Sequence, residues 1–151
     1  MNKRTFLGSA AALAAIAALP FLAGMASNEV HVFKSRSCGC CGDWVSHMKS
    51  AGFAVKVTDV DDTSAARKRL GMPARFGSCH TATVDGYVLE GHVPALEVKR
   101  LLGSGTKAIG LAVPSMPVGS PGMEMGDRKD PYQVLLIDRS GAATVFASYP
   151  K

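Results

Sequence analysis

Val30-His31-Val32-Phe33 alternates in a β-rich run, which predicts a first strand. From Asp43 to Ala51 the period changes. Trp44, Met48 and Ala51 recur at helical spacing, and Gly52 supplies a stop. Phe53 to Thr58 predicts a second strand. Asp61 or Asp62 is placed to cap a second helix, whose Ala66 and Leu70 share a face. That helix should end at Gly71, since Pro73 forbids continuation. Thr81–Val84 and Tyr87–Glu90 flank Asp85-Gly86, the pattern of a two-residue β-hairpin. Pro94 suits the first turn of a third helix with Ala95, Val98 and Leu102 as its apolar stripe, closing at Leu102-Gly103. Tyr132–Ile137 and Ala143–Ala147 predict a terminal hairpin around Asp138–Gly141.

Between the third helix and that hairpin, residues 103–130 are rich in glycine and proline and predict a long loop. The segment is not polar like a linker. It carries Ile109, Leu111, Val113, Met116, Met123 and Met125, so it should be ordered against the domain.

The order of elements is strand, helix, strand, helix, hairpin, helix. The first strand–helix–strand unit implies a parallel pair with a right-handed crossover. The expected class is α/β and thioredoxin-like: a central mixed sheet flanked by helices, with a C-terminal hairpin extension. No internal repeat is visible.

The start of the chain changes the domain count. Lys3 and Arg4 precede an Ala/Leu/Ile run from Ala10 to Leu19, then Pro20 and small residues to Ala26. This is the layout of a secretory signal, and the apolar run is too short and alanine-rich for a comfortable membrane span. Residues 1–26 are therefore expected to be a signal peptide and 27–151 a single domain. Lys3-Arg4-Thr5-Phe6-Leu7 also resembles a twin-arginine signal, which leaves the route open between general secretion and twin-arginine export. Either route points to the periplasm. The formal charge of the whole chain is +5. Losing Lys3 and Arg4, with no acid in the leader, leaves +3 on scattered basic residues, too little for a nucleic-acid-binding surface. The remaining 125 residues can bury a core without a disulfide scaffold.

The cysteines carry the chemistry. Cys38, Cys40 and Cys41 fall within four residues, and Cys79 stands beside His80. Neighbouring cysteines cannot pair with each other without strain. The Cys-x-x-Cys of Cys38 and Cys41 falls just before the first helix, where exposed N–H groups lower a thiol pKa from about 8.5 to roughly 3.5–7.5. Such a pair serves either as metal ligands or as a dithiol/disulfide couple. In a thioredoxin-like arrangement the segment before the third strand approaches that helix end, so Cys79 should meet the other sulfurs. His92 is a plausible further ligand. His80 is a ligand or faces away, His47 reads as a surface residue, and His31 as structural or exposed. Met116, Met123 and Met125 add thioethers, which select Cu(I). Zinc is less apt, because Cys40 and Cys41 cannot easily reach one tetrahedral ion, whereas they can reach different ions of a cluster. Thiolate, imidazole and thioether together favour copper.

Four segments together resemble the CopG family of periplasmic copper-resistance proteins, long described as a domain of unknown function. They are Lys34–Trp44 with its Cys38-Gly39-Cys40-Cys41 core, Gly77–Ala82, Glu90–Ala95, and Gly110–Pro114 with Met116-Pro117 and Gly119–Glu124. Ser115 departs from the glycine expected there. The resemblance implies a thioredoxin-like domain holding a multinuclear copper cluster, with Cys38, Cys40, Cys41 and Cys79 as ligands supported by His92, Met116 and Met123. His47, His80 and Met125 stand behind these. It also implies a role in copper resistance, with Cu(I)/Cu(II) redox change as a further activity. Copper ions and periplasmic efflux or resistance proteins are the expected partners. A thiol–disulfide oxidoreductase using Cys38 and Cys41, or a chaperone delivering copper to an efflux system, are the alternatives.

Overall fold

The computed structural model describes residues 29–151. The leader expected over residues 1–26 lies outside them. Seven strands form one mixed sheet in the order β2-β1-β3-β4-β5-β6-β7. The elements in chain order are β1 (Glu29–Lys34), α1 (Gly39–Ser50), β2 (Ala54–Asp59), α2 (Thr63–Arg69), a 3-10 turn (Ala74–Phe76), β3 (His80–Val84), β4 (Tyr87–Glu90), α3 (Ala95–Ser104), β5 (Gly110–Ala112), β6 (Tyr132–Ile137) and β7 (Ala143–Tyr149). β1 and β2 are parallel, joined across α1, and β1 runs antiparallel to β3. β4 and β5 are also parallel, joined across α3. Among the described residues no helix is long and apolar enough to cross a membrane.

The period-two pattern sorts the core into two layers. Val30 and Val32 of β1, with Ala82, Val84 and Leu89, pack under Trp44, Val45 and Met48 of α1 and Ala95, Val98 and Leu101 of α3. The opposite face holds a smaller cluster of Met72, Phe76, Val88, Ala112 and Ile137. Phe33 belongs to that side and lies under the Arg69 guanidinium of α2. Asp62 caps α2 as its sequence implies, accepting from the N–H groups of Ser64 and Ala65. The Asp85-Gly86 hairpin also forms as expected, with Val84 opposite Tyr87.

Besides shifts of one or two residues at strand ends, three features differ from expectation. α1 begins at Gly39 instead of Asp43, so Cys40 and Cys41 lie inside its first turn and Cys38 is its N-cap. α3 runs on to Ser104 and closes at Gly105, with Leu101 as the buried position where Leu102 was expected. The long loop contains β5, whose three residues are all buried. A strand that short, apolar on both faces and bounded by glycine and proline, has no alternation to betray it. β5 is what joins the terminal hairpin to the rest: β6 pairs with it antiparallel, so the hairpin continues the central sheet.

Candidate metal centre

The site forms where α1 begins, at the edge between the two layers. Cys38 and Cys41 are joined by a disulfide across the first turn of the helix, with Cα atoms 5.4 Å apart. Cys40 and Cys79 are free. Cys40 Sγ lies 3.6 Å from Cys38 Sγ and 3.9 Å from Cys79 Sγ. Cys41 Sγ lies 3.8 Å from the Cys79 carbonyl oxygen. The donor atoms of all four cysteines fall within 4.8 Å of one another, as do those of Cys79, His80 and His92. Cys79 is the member common to both groups.

The imidazoles are held from behind. His92 Nδ1 stands 2.8 Å from the Pro121 carbonyl oxygen. A carbonyl only accepts, so Nδ1 carries the proton and Nε2 carries the lone pair. That Nε2 is 3.0 Å from Cys79 Sγ, where it accepts from the thiol. A histidine whose second nitrogen is fixed by a carbonyl is the arrangement found behind metal ligands. His80 Nδ1 is 3.3 Å from the same sulfur. Its ring is buried between Trp44, at 4.5 Å between centroids, and His92, at 5.1 Å. His80 Nε2 is buried and makes no hydrogen bond of good geometry among the described residues. Trp44 in turn donates its indole N–H to the carbonyl of Val93, tying α1 to the segment that carries His92.

Burial governs the titration of these groups. Burial first, then the neighbouring Cys40, pushes the Cys79 thiol up to about 12. Burial and the facing His92 lower His80 to about 3. Burial also lowers His92. Without a bound metal ion, Cys79 is therefore a neutral thiol and both imidazoles are neutral bases. A soft cation replaces the thiol proton, and neutral imidazole is the form that ligates.

The glycine- and proline-rich segment closes the site. A Cβ on Gly122 would lie 2.7 Å from Trp44 N and 2.8 Å from Cys40 O. The turn therefore rests directly on the helix end that carries the cysteines. Ser120 Oγ donates to the Pro117 carbonyl and Glu124 accepts from the Gly122 N–H, which fixes the turn's shape. Met123 is half-buried in this turn. Met116 is 49% exposed and lines a cleft with Pro131, Tyr132 and Tyr149; Met125 is 62% exposed.

Of the expected residues, the fold gathers Cys38, Cys40, Cys41, Cys79 and His92, and brings His80 in with them. His47 is not a surface residue. It is half-buried, and its Nε2 accepts from the Ala95 N–H at the start of α3. Its spacing to Trp44 describes its place on α1 but not the distant helix end that it caps.

Residues 76–123 match a family described as a protein of unknown function, DUF411. None of the curated proteins matches. Two solved structures do, copper resistance protein CopG in its form 1 and form 2. Form 1 is 50% identical over 82% of this chain and 98% of its own, with a TM-score of 0.77. Form 2 is 49% identical over 81% of this chain and 98% of its own, also at 0.77. The chain belongs to the CopG family. The four sulfurs and the His92 side chain thus sit in a fold shared, at half identity, with proteins named for copper resistance.

Two residues at the centre were not singled out in the sequence, Arg67 and Glu90. Both are buried and form an ion pair at 2.8 Å. The available signal was a carboxylate ending the apolar run of β4 and a basic residue next to Ala66 on the inner side of α2.

Proposed function

We propose that this chain is a periplasmic copper-binding protein of copper resistance. It holds Cu(I) in a thiolate-rich multinuclear cluster built from Cys38, Cys40, Cys41 and Cys79, with His92, Met116 and Met123 in support. The observation that carries this reading is the meeting of the Cys40 and Cys79 sulfurs with each other, with the Cys38–Cys41 pair, and with the lone pair of His92.

The donor set fits the ion. Thiolate and thioether select Cu(I) and imidazole suits copper. The spacing fits as well. Two thiolates bound at about 2.3 Å to one tetrahedral ion stand about 3.8 Å apart. The two free sulfurs, of Cys40 and Cys79, stand 3.9 Å apart, close to that value. Cys40 and Cys41 are adjacent in sequence, which favours more than one ion over a single closed site. The mixed sulfur and nitrogen donors also suit a site that passes between Cu(I) and Cu(II). The names of the two structural relatives support copper as the metal.

The frame supports a thioredoxin-like reading. Apart from the 3-10 turn its elements run β-α-β-α-β-β before α3, with β2-β1-β3-β4 as neighbours in the sheet, and the Cys-x-x-Cys stands at the N-terminus of the first helix. The leader pattern of residues 1–26 supports export. Cys38 and Cys41 become ligands only as thiolates, so loading of the full set requires the reduced protein.

Anaerobic titration of the reduced protein with Cu(I), against a competing chelator, tests the proposal. Several ions bound per chain are expected. Binding no tighter than in a variant with all four cysteines replaced by serine would refute it. The disulfide itself favours a second reading, a thiol–disulfide oxidoreductase acting through Cys38 and Cys41. Reduction of insulin disulfides by the copper-free protein, at rates that Cys38→Ser abolishes, would favour that reading instead.

A further inference from the structure

The chain between the 3-10 turn and β3 has a hydrogen-bonding problem at Ser78. β3 begins only at His80, so Ser78 lies outside the sheet's ladder. Two charged side chains take the ladder's place. Ser78 N–H donates to Glu90 Oε1 at 2.7 Å. Ser78 C=O accepts from Arg67 Nη2 at 2.7 Å. Arg67 Nε donates to the same Glu90 Oε1 at 2.8 Å, and Thr81 Oγ1 donates to Oε2 at 2.7 Å. Both backbone groups of the residue before Cys79 are thus gripped by one buried ion pair. Gly77 is cut to fit it, since a Cβ there would lie 3.0 Å from the Arg67 guanidinium carbon.

A buried ion pair is a poor way to gain stability. The loss of hydration offsets the attraction, and apolar residues of similar volume often do as well or better. Glu90 is fully buried and Arg67 nearly so. What the pair supplies that apolar residues would not is direction: charge-assisted hydrogen bonds that fix the two peptide units on either side of the Ser78 Cα, with Arg67 and Thr81 in turn holding the Glu90 carboxylate. The next side chain along is the sulfur shared by both donor groups.

We propose that Arg67 and Glu90 are positioning residues that hold the Cys79 sulfur in register with Cys40 and His92, and so set the site's affinity for copper. The inference rests on the copper-holding function above and deepens it. Neither residue touches the metal. Each acts through the backbone of Ser78. The supporting shell around a metal site typically contributes 10–100-fold to affinity, and that is the size of effect expected here.

The test replaces the pair with an apolar one, Arg67→Met with Glu90→Leu, and follows two readouts on the reduced protein. The first is Cu(I) affinity by chelator competition, together with the sulfur-to-copper absorption or the Cu(I)–thiolate luminescence. The second needs no metal: the rate at which Cys79 is alkylated, followed by mass spectrometry. The double variant is expected to unfold within a few degrees of the parent protein, to bind Cu(I) about 10–100-fold more weakly with an altered spectrum, and to expose Cys79 to faster alkylation. A folded variant with parental affinity, spectrum and alkylation rate would overturn the inference. Should the double variant not fold, Arg67→Lys keeps the charge beside Glu90 but gives up the fork that also reaches Ser78. It carries the same expectations and the same refutation. If the parent protein binds no Cu(I), the proposed function fails, and the alkylation rate alone still decides whether the pair positions Cys79.

Discussion

His92 Nε2 stands 3.0 Å from Cys79 Sγ, with its other ring nitrogen fixed 2.8 Å from the Pro121 carbonyl. The loop thus sets which nitrogen of an imidazole just beyond the end of β4 faces the cysteines. His92→Asn removes the lone pair aimed at the sulfur while keeping a polar side chain. Copper affinity should fall by at least about tenfold. Chelator competition measures it, and an unchanged affinity would remove His92 from the site.

Gly122 gives a prediction about the loop. Its backbone lies at φ 85°, and a Cβ would meet Trp44 N at 2.7 Å and Cys40 O at 2.8 Å. Both neighbours are backbone of the cysteine helix and neither swings aside. Gly122→Ala should lower stability by roughly 1–3 kcal/mol, from the left-handed conformation and the clash together. Urea unfolding measures the loss. The same variant should weaken copper binding, because the carbonyl behind His92 belongs to the preceding residue.

The link between α1 and α3 should depend on pH. His47 Nε2 accepts from the Ala95 N–H, a bond that only the neutral ring makes. Burial lowers its pKa, and the nearby Glu124 carboxylate only partly opposes this. The unfolded chain therefore binds the proton more readily than the folded one. This contribution to stability is complete above the ordinary histidine value of about 6.5 and is lost as pH falls from there through the lowered folded value. Between pH 7.5 and 5 the midpoint of urea unfolding should drop, and His47→Gln should flatten that slope. An identical slope in the variant would contradict the assignment.

Much of the architecture was legible because the signals were local. Asp62 before a helical run, Asp85-Gly86 between β-rich segments and Pro94 ahead of α3 each act within a few residues, and each element formed where its signal lay. The start of α1 was not legible. Cys40 and Cys41 carry no strong helical preference, and it is Trp44, Val45 and Met48 packing on β1 that stabilises the extra turn. β5 was hidden for a related reason: its burial on both faces comes from β4 and β6, not from its own pattern. For the site, the cysteines and His92 announced themselves by residue type. His47, Arg67 and Glu90 did not, because their roles are hydrogen bonds to backbone atoms 11 to 48 residues away along the chain. No short spacing encodes such a contact.

X-ray absorption at the copper edge, on the reduced protein loaded and kept without air, tests the central claim most directly. A cuprous edge with a dominant sulfur shell, reduced in amplitude when Cys40 or Cys79 is replaced by serine, is the result predicted by a cluster held among these four cysteines. Copper coordinated only by nitrogen and oxygen, unchanged by either replacement, would contradict it.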